Sequence, residues 1–371
     1  MPQPHILFAP VLKAEKWVSI DLQQENILDA LIAQPSPPPL TVVTVPEIGA
    51  HIPMIRRLLR DVALPIQIRS LASQHRGPTV LHVSDHSYGH LCRAHQPCII
   101  NCNDLHHFVT PDLSGLTLWR WKRRAATMRR ADRIVTVSEN LAREVCHHLQ
   151  IPEERVIALH GGIDTHVFSD VPSADDAALV PEIARLRAKH PVILNIGSNI
   201  RRKNLPTVLR ALSILNRDHR LDARLVKIGA RLHDSDHQPL MDELDLNEAV
   251  IDLSHQSPVQ VASACRQAHA LSFASLYEGF GRPTLEAQAC GLPCVLADAS
   301  CMREIGGNGA LYHNPTDPAD LASLLQRVLT TPALRDELIL KGHANTRRFS
   351  WNQYATQLTQ IYQEVAPVRQ S

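Results

Sequence analysis

Two carboxylates, Glu278 and Glu286, bracket a turn in the stretch SLYEGFGRPTLEAQACG, residues 275–291. Between them lie Gly279, Phe280, Gly281, Arg282 and Pro283. Pro283 suits the first turn of a helix, where its missing N–H would be unpaired anyway, and LEAQA supplies strong helix formers. A helix N-terminus therefore follows directly on a turn whose glycines, Gly279 and Gly281, let a ligand approach the backbone. Free N–H groups and the helix dipole make such a spot an anion site suited to a diphosphate. Glu286, about one turn into the helix, is placed to accept two hydrogen bonds from a vicinal diol such as a ribose. Glu278 lies across the turn, where it would meet whatever is attached beyond the phosphates. A solvated loop glutamate and an exposed helix glutamate are the alternative, and spacing alone does not separate the two.

A second stretch bears on the choice. Gly197-Ser198-Asn199-Ile200-Arg201-Arg202-Lys203-Asn204 follows an apolar run and opens another helical pattern. Three consecutive cations at a strand–helix junction can neutralise a diphosphate leaving group, arginine as a fork and lysine as a point charge. Solvated surface cations are the competing reading. Phosphate held between two diol-reading carboxylates has the shape of a sugar nucleotide.

These groups need a scaffold, and the chain supplies the pattern of one. Short apolar runs alternate with helical periodicity, the mark of a parallel sheet covered by helices. Strands are expected in HILFAPVL, LTVVTVP, TVLHVS, PCIINCN, DRIVTVS and VIALHGGID. The alternation restarts at PVILNIGSN and continues through ARLVKIGA, AVIDLS, HALSFAS, PCVLAD and GALYHN. Two successive doubly wound α/β units fit better than one very large sheet. The domains expected are residues 1–170, residues 171–350 and a terminal helical segment 351–371, with the seam in the polar, acidic stretch SDVPSADDAALVPE. The last helix, about Trp351 to Val365, is amphipathic on Tyr354, Leu358, Ile361 and Tyr362.

Composition narrows the partners. With 371 residues the chain can bury two ordinary cores. A formal net charge of +1 excludes bulk polyanion binding as a whole-chain property, so no nucleic-acid partner is expected. No apolar run approaches the roughly 20 residues that span a bilayer, and the N-terminus lacks the pattern of a secretory signal. The 8 cysteines form no C-x-x-C pair and read as buried free thiols, consistent with a reducing cytoplasm. The 21 histidines gather into no metal-ligand spacing, and the D-S-D triplet Asp234–Asp236 reads as a solvated loop, so neither metal nor cofactor is expected.

The segment SLYEGFGRPTLEAQACGLPCVLADASCMREIGGNGALY resembles the signature of the retaining, nucleotide-sugar-dependent glycosyltransferases with the GT-B fold, family 4. The likeness extends to ILNIGSNIRRKNLPTVLRAL, to ADRIVTVSENLAREV with RVIALHGGID, and to FSWNQYATQLTQIY, and so covers residues 98–365. It implies two Rossmann-like domains facing across a cleft, with the last helix crossing back to the first domain. Glu278 would contact the donor sugar near its reacting carbon and Glu286 the ribose hydroxyls. Arg202 and Lys203 would hold the diphosphate with Gly197, Ser198 and the backbone of Phe280, Gly281, Arg282, Thr284 and Leu285. The loop at Ser254 would cradle the base.

The sequence also departs from that family. Ser198 stands where arginine usually follows the glycine. Asn103-Asp104 replaces a His-Asp pair after the fourth strand, so the histidine's place falls to Asn103, His106 or His107, or is empty. APVLKAEKWVSID, after the first strand, has no glycine, so the acceptor site is not carried over. Asp85 and Asp104 are the first-domain carboxylates expected to face the cleft, with structural hydrogen bonding the competing reading for each.

The activity implied is transfer of a hexose, of mannose or glucose type, from a nucleoside-diphosphate sugar to a saccharide or lipid-linked acceptor. Mannose is favoured by likeness to polysaccharide mannosyltransferases. A dehydrogenase would need G-x-G-x-x-G after a strand, which is absent. A glycoside hydrolase also uses two carboxylates but has no need of Arg202 and Lys203, and an inactive nucleotide-sugar-binding scaffold would keep the fold without the chemistry. Finally, LWRWKRRAATMRRADR, residues 118–133, interleaves 7 cations with Trp119, Trp121 and Met128. It reads either as a peripheral contact with an anionic membrane surface or as a solvated helix.

Overall fold

The computed structural model describes residues 3–110, 113–233 and 235–366. The chain forms two compact units, Met1–Gly162 with Phe349–Ser371, and Ile163–Arg348. The first unit holds strands β1 (His5–Ala9), β2 (Leu40–Val42), β3 (Thr79–Val83), β4 (Cys98–Cys102), β5 (Arg133–Thr136) and β6 (Val156–Ala158). The second holds β7 (Val192–Gly197), β8 (Arg224–Gly229), β9 (Val250–Asp252), β10 (Ala270–Phe273), β11 (Cys294–Ala297) and β12 (Ala310–His313). Each of the twelve apolar runs contains one of these strands.

All pairings are parallel, and the two sheets run β2-β1-β3-β4-β5-β6 and β12-β11-β10-β7-β8-β9. Parallel sheets need helical crossovers on both faces, so their strands are apolar throughout rather than alternating. β3 and β4 are buried at every position. The architecture is α/β, two doubly wound sheets.

In the first unit Ile6, Phe8, Ile27, Leu31, Val80, Ile99 and Val135 form a core that the last helix, Trp351–Val365, completes with Tyr354, Leu358, Ile361 and Tyr362. Those four positions are the amphipathic stripe of the sequence, and the helix is capped by Ser350, whose hydroxyl accepts from the Gln353 N–H. Beneath it His82 is fully buried, its Nδ1 2.5 Å from the Tyr362 hydroxyl and its Nε2 3.0 Å from Asn101 Oδ1.

In the second unit Ile193, Leu209, Leu212, Leu225, Met241, Val295 and Leu325 are core residues. The acidic segment around residues 170–178 packs as part of this unit. Asp176 takes a bidentate pair from Arg266 at 2.7 and 2.5 Å, so its polar composition serves a buried ion pair.

A helical run at residues 53–74 has no clear signal in the sequence. It consists of Pro53–Leu58, a π-helical turn Leu59–Ala63, and Leu64–Gln74. Leu64 and Ile68 are buried while Met54, Leu58, Val62 and Ile66 are exposed. Apolar residues on both faces blur the helical period.

Candidate functional site

Numbered within its own unit, the second sheet has the order 6-5-4-1-2-3, the Rossmann arrangement, and its order reverses between β7 and β10. Ligands of open α/β sheets bind beyond the carboxyl ends of the strands at such a reversal. The segments that leave those two strands here are Ser198–Asn204 after β7 and Ala274–Gly281 after β10. They contain Ser198, Arg202, Lys203, Glu278, Phe280 and Gly281 of the residues singled out in the sequence.

After β7 the chain makes one 3-10 turn, Arg201–Lys203, and Asn204 takes a left-handed conformation before the next helix. Asn204 fixes this corner by donating to the carbonyls of Ala274 and Pro315 at 3.1 and 2.7 Å. Lys203 Nζ thereby lies 2.5 Å from Glu278 Oε1, and Arg202 Nη1 3.2 Å from Glu278 Oε2. Arg202 Nη1 also donates to the Tyr277 carbonyl at 3.0 Å, and Lys203 Nζ stands 5.0 Å from the centre of the Phe273 ring. Burial alone would raise the Glu278 carboxyl, but Lys203 and Arg202 outweigh it and hold the group below its ordinary range. Ser198, Arg201 and Ser254 are exposed.

The turn after Glu278 is tied from behind. Ser300 Oγ donates to the Glu278 carbonyl at 2.7 Å, and the Cys301 thiol to the carbonyls of Glu278 and Phe280 at 3.2 and 3.4 Å. Gly281 has φ +84, a left-handed conformation that favours glycine, and caps the helix Arg282–Ala289. Pro283 stands in the first turn of that helix. Thr284, Leu285 and Glu286 are buried, and the Thr284 hydroxyl has no hydrogen-bond partner among the described residues. Leu285 packs in the core, so only its backbone is available to a ligand. Glu286 is buried and pairs with Arg282 at 3.0 Å. Burial raises its carboxyl above the ordinary value, and Arg282 only partly offsets this. Neither glutamate is the solvated residue of the alternative reading.

The first sheet reverses order between β1 and β3. Beyond β3 lie Asp85 and His86, and beyond the neighbouring β4 lie Asn103, Asp104 and His106. Asn103 Nδ2 donates to Asp85 Oδ2 at 2.8 Å, and His86 Nδ1 is 3.4 Å from the same oxygen. His106 Nδ1 is 2.7 Å from Asp104 Oδ1. Burial pushes Asp85 up, but His86 and the Ser87 contacts pull it below the usual carboxylate range. Burial likewise lowers His86, and Asp85 with Asp104 more than reverses that, raising it.

One member of this cluster, His86, lacks a signal in the sequence, and Trp121 stands out there only as part of the basic stretch. His86 is buried, and Trp121 packs edge-on against His86 and His107 at 5.7 and 4.7 Å. Trp121 belongs to the helix Gly115–Ala125, whose Leu116 and Trp119 are exposed. The basic stretch is therefore mixed, one tryptophan turned inward and one outward. Arg124 reaches Asp61 of the 53–74 helical run at 3.9 Å.

Asp234 lies outside the described residues, and no group of three or more His, Cys, Asp or Glu able to hold a metal occurs among those described. The cysteines are free, all buried except the half-buried Cys146. No helix among the described residues is long and apolar enough to cross a membrane.

Comparison with known proteins agrees with this fold. An O-antigen chain mannosyltransferase B of Escherichia coli is 26% identical over 231 residues, 62% of this chain and 60% of its own length. A D-inositol 3-phosphate glycosyltransferase of Nocardiopsis dassonvillei is 28% identical over 249 residues, 63% of this chain and 56% of its own. The matches thus span only about three fifths of these relatives. Among solved structures, sucrose-phosphate synthase from Thermosynechococcus elongatus shares the fold with a TM-score of 0.73 at 18% identity, covering 98% of both chains. Anabaena HepE in complex with UDP and glucose does so with a TM-score of 0.72 at 16% identity, covering 97% of this chain and 100% of that one. Residues 30–167 match the family described as Glycosyltransferase Family 4, and residues 179–344 the one described as Glycosyl transferases group 1. With one match in each sheet-bearing unit, the chain belongs to the GT-B glycosyltransferases of the family 4, group 1 type.

Proposed function

We propose that this chain transfers a hexose from a nucleoside-diphosphate sugar to a saccharide or lipid-linked acceptor, with retention at the anomeric carbon and without a metal ion. The observation that carries the reading is the cluster of Lys203, Arg202 and Glu278 at the order reversal of the second sheet, beside the glycine turn and the helix that bears Glu286. A mannosyltransferase relative and a structural neighbour that binds UDP and glucose support the substrate class. Mannose is the first donor sugar to try.

In this reaction the bond between the anomeric carbon and the diphosphate oxygen breaks while the acceptor oxygen bonds to that carbon from the same face. The acceptor proton passes to the departing phosphate oxygen, so no base on the far face is required. Negative charge grows on the leaving oxygen, and Lys203, Arg202 and the helix N–H groups stabilise it more in the transition state than in the ground state. Glu278 holds those cations in register and reads the sugar, while Glu286 reads the ribose. Asp85, Asn103, Asp104 and His106 form the acceptor-side polar group. An inactive scaffold is disfavoured by the intact set of both glutamates, Arg202 and Lys203. A glycoside hydrolase is disfavoured because its two carboxylates face each other across substrate, and here Glu278 is committed to two cations.

The test is proton NMR of the anomeric signal in the first product formed from an α-linked donor. An α-glycoside supports the reading. A β-glycoside overturns retention, and release of free sugar without any nucleotide overturns the transferase.

Peripheral membrane contact is part of the proposal. The helical run 53–74 exposes Met54, Leu58, Val62 and Ile66 beside the exposed Arg57 and Arg69. A spacing of four drifts by about 40° per step around an α-helix, and the wider π turn at Leu59–Ala63 opposes that drift. The Asp61–Arg124 contact, with both side chains at least 36% exposed, joins this stripe to Leu116, Trp119, Arg120 and Arg123. Apolar side chains interleaved with arginines suit an anionic lipid surface.

A further inference from the structure

Lys227 stands inside β8, in the run RLVKIG, with no exposed surface. A lysine there is costly unless its ammonium finds partners. Its Nζ donates to the carbonyl of Gly197, and to that of Ile228 at 3.2 Å. Gly197 is the last residue of β7, directly ahead of the segment that carries Arg202 and Lys203, and it pairs in register with Gly229. The Ala230 N–H donates to the same Gly197 carbonyl at 3.2 Å, and Asn199 Nδ2 donates to the Arg231 carbonyl. A Cβ on Gly229 would lie 2.5 Å from the Gly197 oxygen, so only glycine admits this close approach. The start of the cation-bearing segment is thus fastened to the end of β8, with a buried ammonium behind it.

We infer that Lys227 is a positioning residue for the diphosphate site, a third cation that acts through the Gly197 carbonyl and through its field at Lys203; this rests on the donor reading above. Three cations, Lys203, Arg202 and Lys227, face the carboxylate of Glu278 and, at Lys227, that of Asp252, and a diphosphate supplies the missing negative charge. Other ionisable groups border the lysine. Asp252, at the end of β9, favours its charged form and is itself bound by His233 at 2.7 Å. Burial first, and Lys203 second, pull the Lys227 ammonium down to about 8. A dianion arriving beside Lys203 favours the charged form again, so binding and protonation of Lys227 are reciprocal.

The experiment is calorimetric titration of UDP and of GDP into the full chain at pH 8.5, in two buffers of different ionisation enthalpy. Carboxylates and the nucleotide phosphates are already ionised there, so the difference between buffers reads proton uptake by a base. The unmodified chain should take up about half a proton per nucleotide, and its Kd should rise about tenfold between pH 7 and pH 9.5. Lys227→Met should bind about tenfold more weakly at pH 7, with no uptake and a flat pH profile. If Lys227→Met does not fold, the proton uptake and pH profile of the unmodified chain decide. Binding without proton uptake, or uptake that persists in Lys227→Met, overturns the role of Lys227 and leaves the donor reading standing. A folded chain that binds neither UDP nor GDP at pH 7 overturns both.

Discussion

Lys203 Nζ lies 2.5 Å from Glu278 Oε1, although one residue follows β7 and the other follows β10. The contact exists because those strands are neighbours in the sheet, and it unites the cations proposed to hold the phosphates with the carboxylate proposed to read the sugar. Removing the carboxylate separates two roles. Glu278→Gln should retain UDP or GDP binding, because the cations are released to the phosphates, while transfer falls by at least about 100-fold. Unfolding by urea should show a loss of about 1–3 kcal/mol, since two half-buried cations lose their partner. Equal transfer rates in variant and parent would remove Glu278 from the chemistry.

Glu286 makes the opposite prediction for stability. Its carboxyl is raised by burial, so the folded state disfavours the ionised form and stability is lost as pH rises through its folded value. Glu286→Gln should therefore raise the thermal midpoint at pH 7.5 but not at pH 4. The same variant should weaken nucleoside diphosphate binding by about tenfold, the loss of a charged hydrogen bond. An unchanged affinity contradicts the ribose assignment.

His82 should give the fold an acid limit. Burial lowers it to about 4, against 6.5 for the free side chain, with Asn101 opposing the shift. The unfolded chain therefore binds the proton more tightly, and stability present above pH 6.5 is lost as pH falls toward 4. The loss amounts to about 3 kcal/mol. Denaturant midpoints at pH 7 and pH 4.5 measure it, and His82→Gln should flatten the difference. A slope that survives this substitution assigns the acid limit elsewhere.

If Lys203 and Arg202 do the charge work as proposed, no metal is needed. Transfer should persist in excess EDTA, with any fall under about twofold. Complete loss, restored by a divalent ion, would assign the charge neutralisation to a metal instead.

For the membrane surface, replacing Arg57, Arg69, Arg120 and Arg123 together by Gln should lower co-sedimentation with anionic vesicles at low salt by about tenfold or more, at roughly 1 kcal/mol for each cation. An unmodified chain that ignores such vesicles ends the idea. Binding unaffected by the four substitutions moves the contact off this face.

Much of this was legible along the chain because the information is local. A buried parallel strand is an apolar run at any position, so each of the twelve runs holds a strand. Pro283 after Gly281 specifies a helix start from backbone sterics alone, and the stripe of Tyr354, Leu358, Ile361 and Tyr362 specifies a helix with one buried face. The three cations of residues 201–203 and the two glutamates were visible as residue types at chemically suggestive places.

Other features depend on tertiary structure. Apolar runs of equal character can pair in many orders, so only the assembled sheet brings β10 beside β7 and Glu278 onto Lys203. The same holds for the burial of Lys227 against Gly197 and of His86 against Trp121, which turns inward while Trp119 faces out. Each is a contact between segments distant in sequence, and it is decided by which surfaces the packing leaves opposite one another.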